Sequence, residues 1–212
     1  MKRCLITRPE HDDTTHFISK WMKEHMDSAN GVEFIDLHRE RANRKEVTGR
    51  LTKKNPQLVL LNGHGSDTTV AGHKDEPLIV AGENDDLLSE KIIHALSCKS
   101  AKILGRKSVK TGALAYIGYD DDFIFFYTPT MISRPTTDNT AHLFLDPATK
   151  PVSALLKGQT VSEAYQKSQQ AYKDQISRLL SSKATKEETA MLRYLWWDMK
   201  NQVALGDLQA SF

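Results

Sequence analysis

Apolar positions along this chain fall into short runs that alternate with widely spaced stripes. Leu5-Ile6 sits in a short run closed by Arg8-Pro9, which predicts a strand over residues 3–8. From Asp12 the spacing lengthens. Phe17, Ile18, Trp21, Met22 and Met26 recur every three or four positions, the stripe of an amphipathic helix, and Gly31 closes it. Val32 to Leu37 alternates like a second strand, and the Arg-rich stretch 39–54 reads as a surface helix or loop. Leu58-Val59-Leu60-Leu61 is continuously apolar, as a central parallel strand buried on both faces must be.

The series continues. Gly72 and the polar His73-Lys74-Asp75-Glu76 divide two β-prone stretches within 68–82, which predicts a small hairpin. Ile92 to Leu96 reads as a fourth strand and Ala113 to Ile117 as a fifth. The segment 100–111 between them suits a crossover helix ended by Gly112. Residues 128–150, with Pro129, Pro135, Pro147 and many Thr and Asp, read as a long loop. Thr160-Val161-Ser162-Glu163 and Thr185-Lys186-Glu187-Glu188 are capping boxes that open two C-terminal helices. Val203-Ala204-Leu205 reads as a last short strand. Strands alternating with helical stretches predict one α/β domain over 1–212, with a largely parallel sheet of about six strands and helices on both faces.

Composition changes this picture little, but it excludes several classes. The hydrophobic fraction of 39% and charged fraction of 26% are ordinary for a globular chain. Lys+Arg 29 against Asp+Glu 27 leaves a net charge of +2, too balanced to predict a nucleic-acid partner. No apolar run approaches the ~18 residues of a membrane span, and the start Met1 to Arg8 is too short-cored for a signal peptide. Two cysteines cannot build a disulfide framework, so a cytoplasmic setting is expected.

In open α/β sheets chemistry gathers beyond the carboxyl ends of strands. Strand three ends in Asn62-Gly63-His64-Gly65, strand four in Ser97-Cys98-Lys99-Ser100, and strand five in Gly118-Tyr119-Asp120-Asp121-Asp122. If those strands are adjacent, His64 and Cys98 emerge at one edge as a candidate base and nucleophile. A thiol where a strand gives way to a helix also lies near free backbone N–H groups.

Leu58 to Gly65, followed by Ala95-Leu96-Ser97-Cys98-Lys99-Ser100, resembles the catalytic core of the caspase-like cysteine peptidases. Lys110 to Gly118, Leu156 to Ala164 and Val203 to Asp207 are similar to gingipain, separase or CHAT-domain segments, and the match is firmest over about residues 58–119. The resemblance implies a caspase-like three-layer α-β-α sandwich with a mostly parallel sheet. It implies a cysteine endopeptidase in which Cys98 attacks the carbonyl and His64 protonates the leaving amine. The N–H groups of Gly65 and Cys98 would then hold the oxyanion.

Departures from the family narrow its specificity. The Gln-Ala-Cys-x-Gly signature of caspases is replaced by Leu96-Ser97-Cys98-Lys99-Ser100, which removes support for aspartate selection. Metacaspases and clostripain carry an acid two residues before the nucleophile, where this chain has Leu96. Separase and its relatives supply the acid after the next strand. Asp120, Asp121 and Asp122 stand there and imply binding of an Arg or Lys side chain on the acyl side of the cleaved bond.

The remaining residues carry less. His73 and His142 read as surface histidines, His94 and Cys4 as core. His11, His16, His25 and His38 are too scattered in sequence for a metal site, so no metal or cofactor is expected. The expected partners are a peptide or protein substrate and an activating protein; neither nucleic acid nor membrane is expected. One alternative is a catalytically silent caspase-like scaffold. A flavodoxin-like nucleotide binder is another, although Thr7-Arg8-Pro9-Glu10 lacks a glycine-rich phosphate loop.

Overall fold

A computed structural model describes residues 2–182 and 184–212. Strand β1 (Lys2–Arg8), helix α1 (Asp13–Ser28), β2 (Val32–His38), α2 (Arg44–Lys54) and β3 (Leu58–Asn62) follow in the predicted order. A small antiparallel sheet of β4 (Gly65–Ser66), β5 (Thr69–Ala71) and β6 (Pro77–Val80) comes next, so the predicted hairpin gains a third strand. Then come β7 (Ile92–Leu96), a π turn (Ala101–Gly105) running into α3 (Arg106–Lys110), and β8 (Ala115–Tyr119). The C-terminal part holds α4 (Asn139–Leu156), α5 (Val161–Leu179), the short α6 (Lys186–Thr189), α7 (Leu192–Asn201) and β9 (Gln202–Gly206).

The main sheet has six strands in the order β2-β1-β3-β7-β8-β9. All neighbours pair parallel except β8 and β9, which run antiparallel. Because side chains alternate across a strand, each central strand feeds two cores. Cys4, Ile6, Leu58, Leu60, Ile92, Leu96 and Ile117 pack with α1, α4 and α5 on one face. Leu5, Val59, Leu61, Ile93, Ala95 and Tyr116 pack with Val47 and Leu51 of α2 on the other. The chain is therefore an α/β fold with helices on both faces of a mostly parallel sheet.

The predicted loop over 128–150 is largely a helix. Asp138 caps α4 by accepting from the Thr140 N–H at 2.9 Å and also takes the Thr128 N–H at 2.6 Å. Pro147 and Pro151 both lie inside α4. Pro151 has no N–H to offer the carbonyl of Pro147, and Ser168 of α5 donates its hydroxyl to that oxygen at 2.7 Å. A partner on another helix thus supplies the bond that proline removes. Helix α4 is also almost wholly apolar on its inner face, from Ala141 through Leu155, which burial stabilises against the local cost of proline.

Candidate active site

The register of two neighbouring strands delivers the predicted pair to one edge. β3 and β7 run parallel with Leu58 opposite Ile92 and Asn62 opposite Leu96. His64 and Cys98 each lie two residues beyond that last pair, so both backbones emerge at the carboxyl end of the sheet. Ser97 Oγ donates to the His64 carbonyl at 3.0 Å and ties the two strand ends together.

Gly65 lies against this junction. A Cβ there would stand 2.0 Å from Ser97 Oγ and 2.8 Å from the Cys98 carbonyl oxygen. Only glycine lets the chain after His64 pass so close to the turn that holds the thiol. That turn is itself unusual, because Lys99 adopts φ 58, the left-handed region. Its N–H donates to the Asp121 carbonyl at 3.0 Å and its ammonium pairs with Asp122 at 3.1 Å, which hold the conformation. Among the described residues the Cys98 N–H has no hydrogen-bond acceptor, so it remains available to a ligand.

Each side chain of the pair has its own partner. His64 Nε2 donates to Asp12 Oδ2 at 2.6 Å. Asp12 caps α1 and accepts the Thr15 N–H at 2.7 Å. Burial opposes ionisation of Asp12, but the Thr15 N–H and the His64 imidazole outweigh it and hold the carboxyl below its ordinary range. Cys98 Sγ is half-buried and donates to the Phe123 carbonyl at 3.6 Å. Burial pushes its thiol up, and the charge of Asp122 acts in the same direction. Among the described residues no hydrogen bond joins the imidazole to the sulfur.

The aspartate run is spoken for in part. Asp120 makes two bonds to Arg106, at 2.6 and 2.9 Å, and Asp122 pairs with Lys99. Asp121 Oδ1 accepts the Asp122 N–H at 2.8 Å. Beyond this run the chain is extended and aromatic. Phe125 and Tyr127 lie against Phe17 of α1, with Tyr127 and Phe17 ring centroids 4.6 Å apart, and the Tyr127 hydroxyl donates to Asp13 at 3.1 Å. Phe123 to Tyr127 therefore forms a strap from the thiol to the start of α1, beside Asp12.

Asp12 carries no local motif, because it follows β1 and not the ends of strands three to five. The signal was present, since β1 ends at the same edge and is followed by Glu10-His11-Asp12. Asp198 was also missed. It is fully buried near Cys98, and its Oδ1 accepts the Ile124 N–H at 2.9 Å while Oδ2 has no partner among the described residues. Burial pushes this carboxyl well above its ordinary range. The N-terminal histidines, scattered in sequence, are partly gathered in space. His16 and His38 meet on Glu10 together with Lys20 and Arg39, and His11 lies beside Asp12 and His64. His73 is also less superficial than expected, its ring edge-on to His11 at 5.4 Å.

Compared with known proteins, the chain matches no family model and no curated protein. Among the described residues no helix is long and apolar enough to cross a membrane.

Proposed function

We propose that this chain is a caspase-like cysteine peptidase that hydrolyses peptide bonds after a basic residue. The observation that carries the reading is the β3–β7 register, which sets His64 and Cys98 level at one sheet edge. In the proposed reaction His64 takes the thiol proton as the Cys98 sulfur attacks the carbonyl carbon, and the amide C–N bond breaks as the protonated His64 passes that proton to the leaving amine. Water, deprotonated by His64, then releases the acid and the free thiol. Asp12 holds the imidazole through Nε2, leaving Nδ1 for the reacting atoms. The Cys98 N–H, without an acceptor among the described residues, and the Gly65 N–H receive the oxyanion.

Burial disfavours the thiolate and the Phe123 carbonyl covers the sulfur, so in this reading the Phe123–Tyr127 strap shifts to admit a substrate. A basic substrate side chain would compete with Lys99 and Arg106 for the aspartates beyond β8. The same occluded thiol favours a second reading, a silent caspase-like scaffold whose dyad never aligns.

A peptidyl electrophile carrying Arg at its reactive end separates the two. A peptidase gains one adduct at Cys98 in intact-mass analysis, and the His64→Ala variant reacts at least tenfold more slowly. No adduct at Cys98 supports the scaffold.

A further inference from the structure

We infer that His11, Asp12 and His64 form a binding site for a zinc-class divalent transition metal. One ligating atom from each residue lies within 4.8 Å of the others. His11 Nε2 is 3.6 Å from Asp12 Oδ2, and His64 Nε2 is 2.6 Å from the same oxygen. Tetrahedral zinc with bonds of about 2.0–2.2 Å sets ligand atoms on the order of 3.3 Å apart. The His11–Asp12 separation already suits such an edge. The His64–Asp12 separation must open by less than ~1 Å, which torsions of two partly exposed side chains supply.

A second observation points to a ligand. Both ring nitrogens of His11 are buried and neither has a hydrogen-bond partner among the described residues. The nearest carboxylates, Asp75 at 3.4 Å and Asp12 at 3.6 Å, ion-pair with the ring only if it is protonated. A desolvated imidazole nitrogen left without a partner destabilises the fold. A metal bond would satisfy one of the two nitrogens. His11 is fixed for the role, being flanked by the capping residue Asp12 and braced edge-on against His73.

The donor set selects the metal. Two imidazoles and one carboxylate favour zinc, with cobalt as its spectroscopic substitute, over magnesium or calcium, which take oxygen ligands. Three protein ligands leave a fourth position, and His64 and Asp12 are open enough to solvent for water to fill it. One consequence rests on the peptidase reading: a metal on His64 occupies the imidazole that must transfer protons, and so switches the enzyme off reversibly.

Binding is tested without reference to catalysis. The full chain, stripped with chelator, is titrated with Zn²⁺ alone against a chromophoric chelator, and with Co²⁺ for its visible spectrum. Wild type and Cys98→Ala each take up one ion, and the Co²⁺ spectrum shows tetrahedral d–d bands with no thiolate charge-transfer band. His11→Ala binds at least tenfold more weakly. Imidazole NMR of the wild type needs no variant, and Zn²⁺ shifts His11 and His64 while His142 stays in place. The inference is overturned if no stoichiometric binding occurs, if His11→Ala binds as wild type, or if Cys98→Ala loses the metal. Peptidase failure with metal binding intact would discard only the switch.

Discussion

Gly65 is the residue on which the site is most narrowly balanced. A single methyl there would meet Ser97 Oγ and the Cys98 carbonyl, both within 3 Å. Gly65→Ala should therefore displace the thiol turn, destabilise the fold by about 1–3 kcal/mol, and lower any Cys98-dependent turnover more than its stability loss explains. Urea unfolding and labelling kinetics on the same variant check both parts. His64, Gly65 and Cys98 were legible because the apolar strand ends flag the sheet edge where chemistry gathers. Asp12 was not, since its role depends on β1 ending at that edge too. Nor was the engagement of Asp120 by Arg106, because a bond that reaches across the length of β8 from α3 leaves no local pattern.

At the scale of elements, periodicity located the strands well. Leu58–Asn62 and Ile92–Leu96 stand where their apolar runs place them, and both capping boxes open helices. Helix α4 defeated the same reasoning. Its prolines are local helix breakers, and what overrides them is tertiary: an apolar face buried between sheet and α5, and the Ser168 hydroxyl on the Pro147 carbonyl. Ser168→Ala should leave that buried oxygen unpaired and cost roughly 1–3 kcal/mol, read as a lower urea midpoint at unchanged slope. A midpoint within error of wild type would mean the prolines are accommodated some other way.

Across the whole molecule, the core beneath the site carries an unusual polar group. Tyr119 and Tyr172 share a hydroxyl–hydroxyl bond of 2.9 Å, and Asp198 lies close enough to raise both phenols further. Asp198 has its carboxyl pushed up by burial, so the folded state retains a proton that the unfolded chain releases. Stability from this group is complete below the ordinary carboxylate range and is lost as pH rises toward the folded value. Asp198→Asn keeps an oxygen to accept the Ile124 N–H and cannot ionise. Between about pH 5 and pH 8 the wild type should therefore lose stability relative to the variant, measured as parallel urea midpoints. Parallel curves with no divergence would show that Asp198 ionises freely.

The central claim is that the edge built by β3 and β7 cleaves peptides through Cys98. The most direct measurement profiles a peptide library with every residue before the cleaved bond, using wild type and Cys98→Ala side by side. Cleavage after Arg and Lys by the wild type, absent in a folded Cys98→Ala chain, is the expected result. Equal turnover by the two proteins, or no cleavage of any peptide by the wild type, would contradict it.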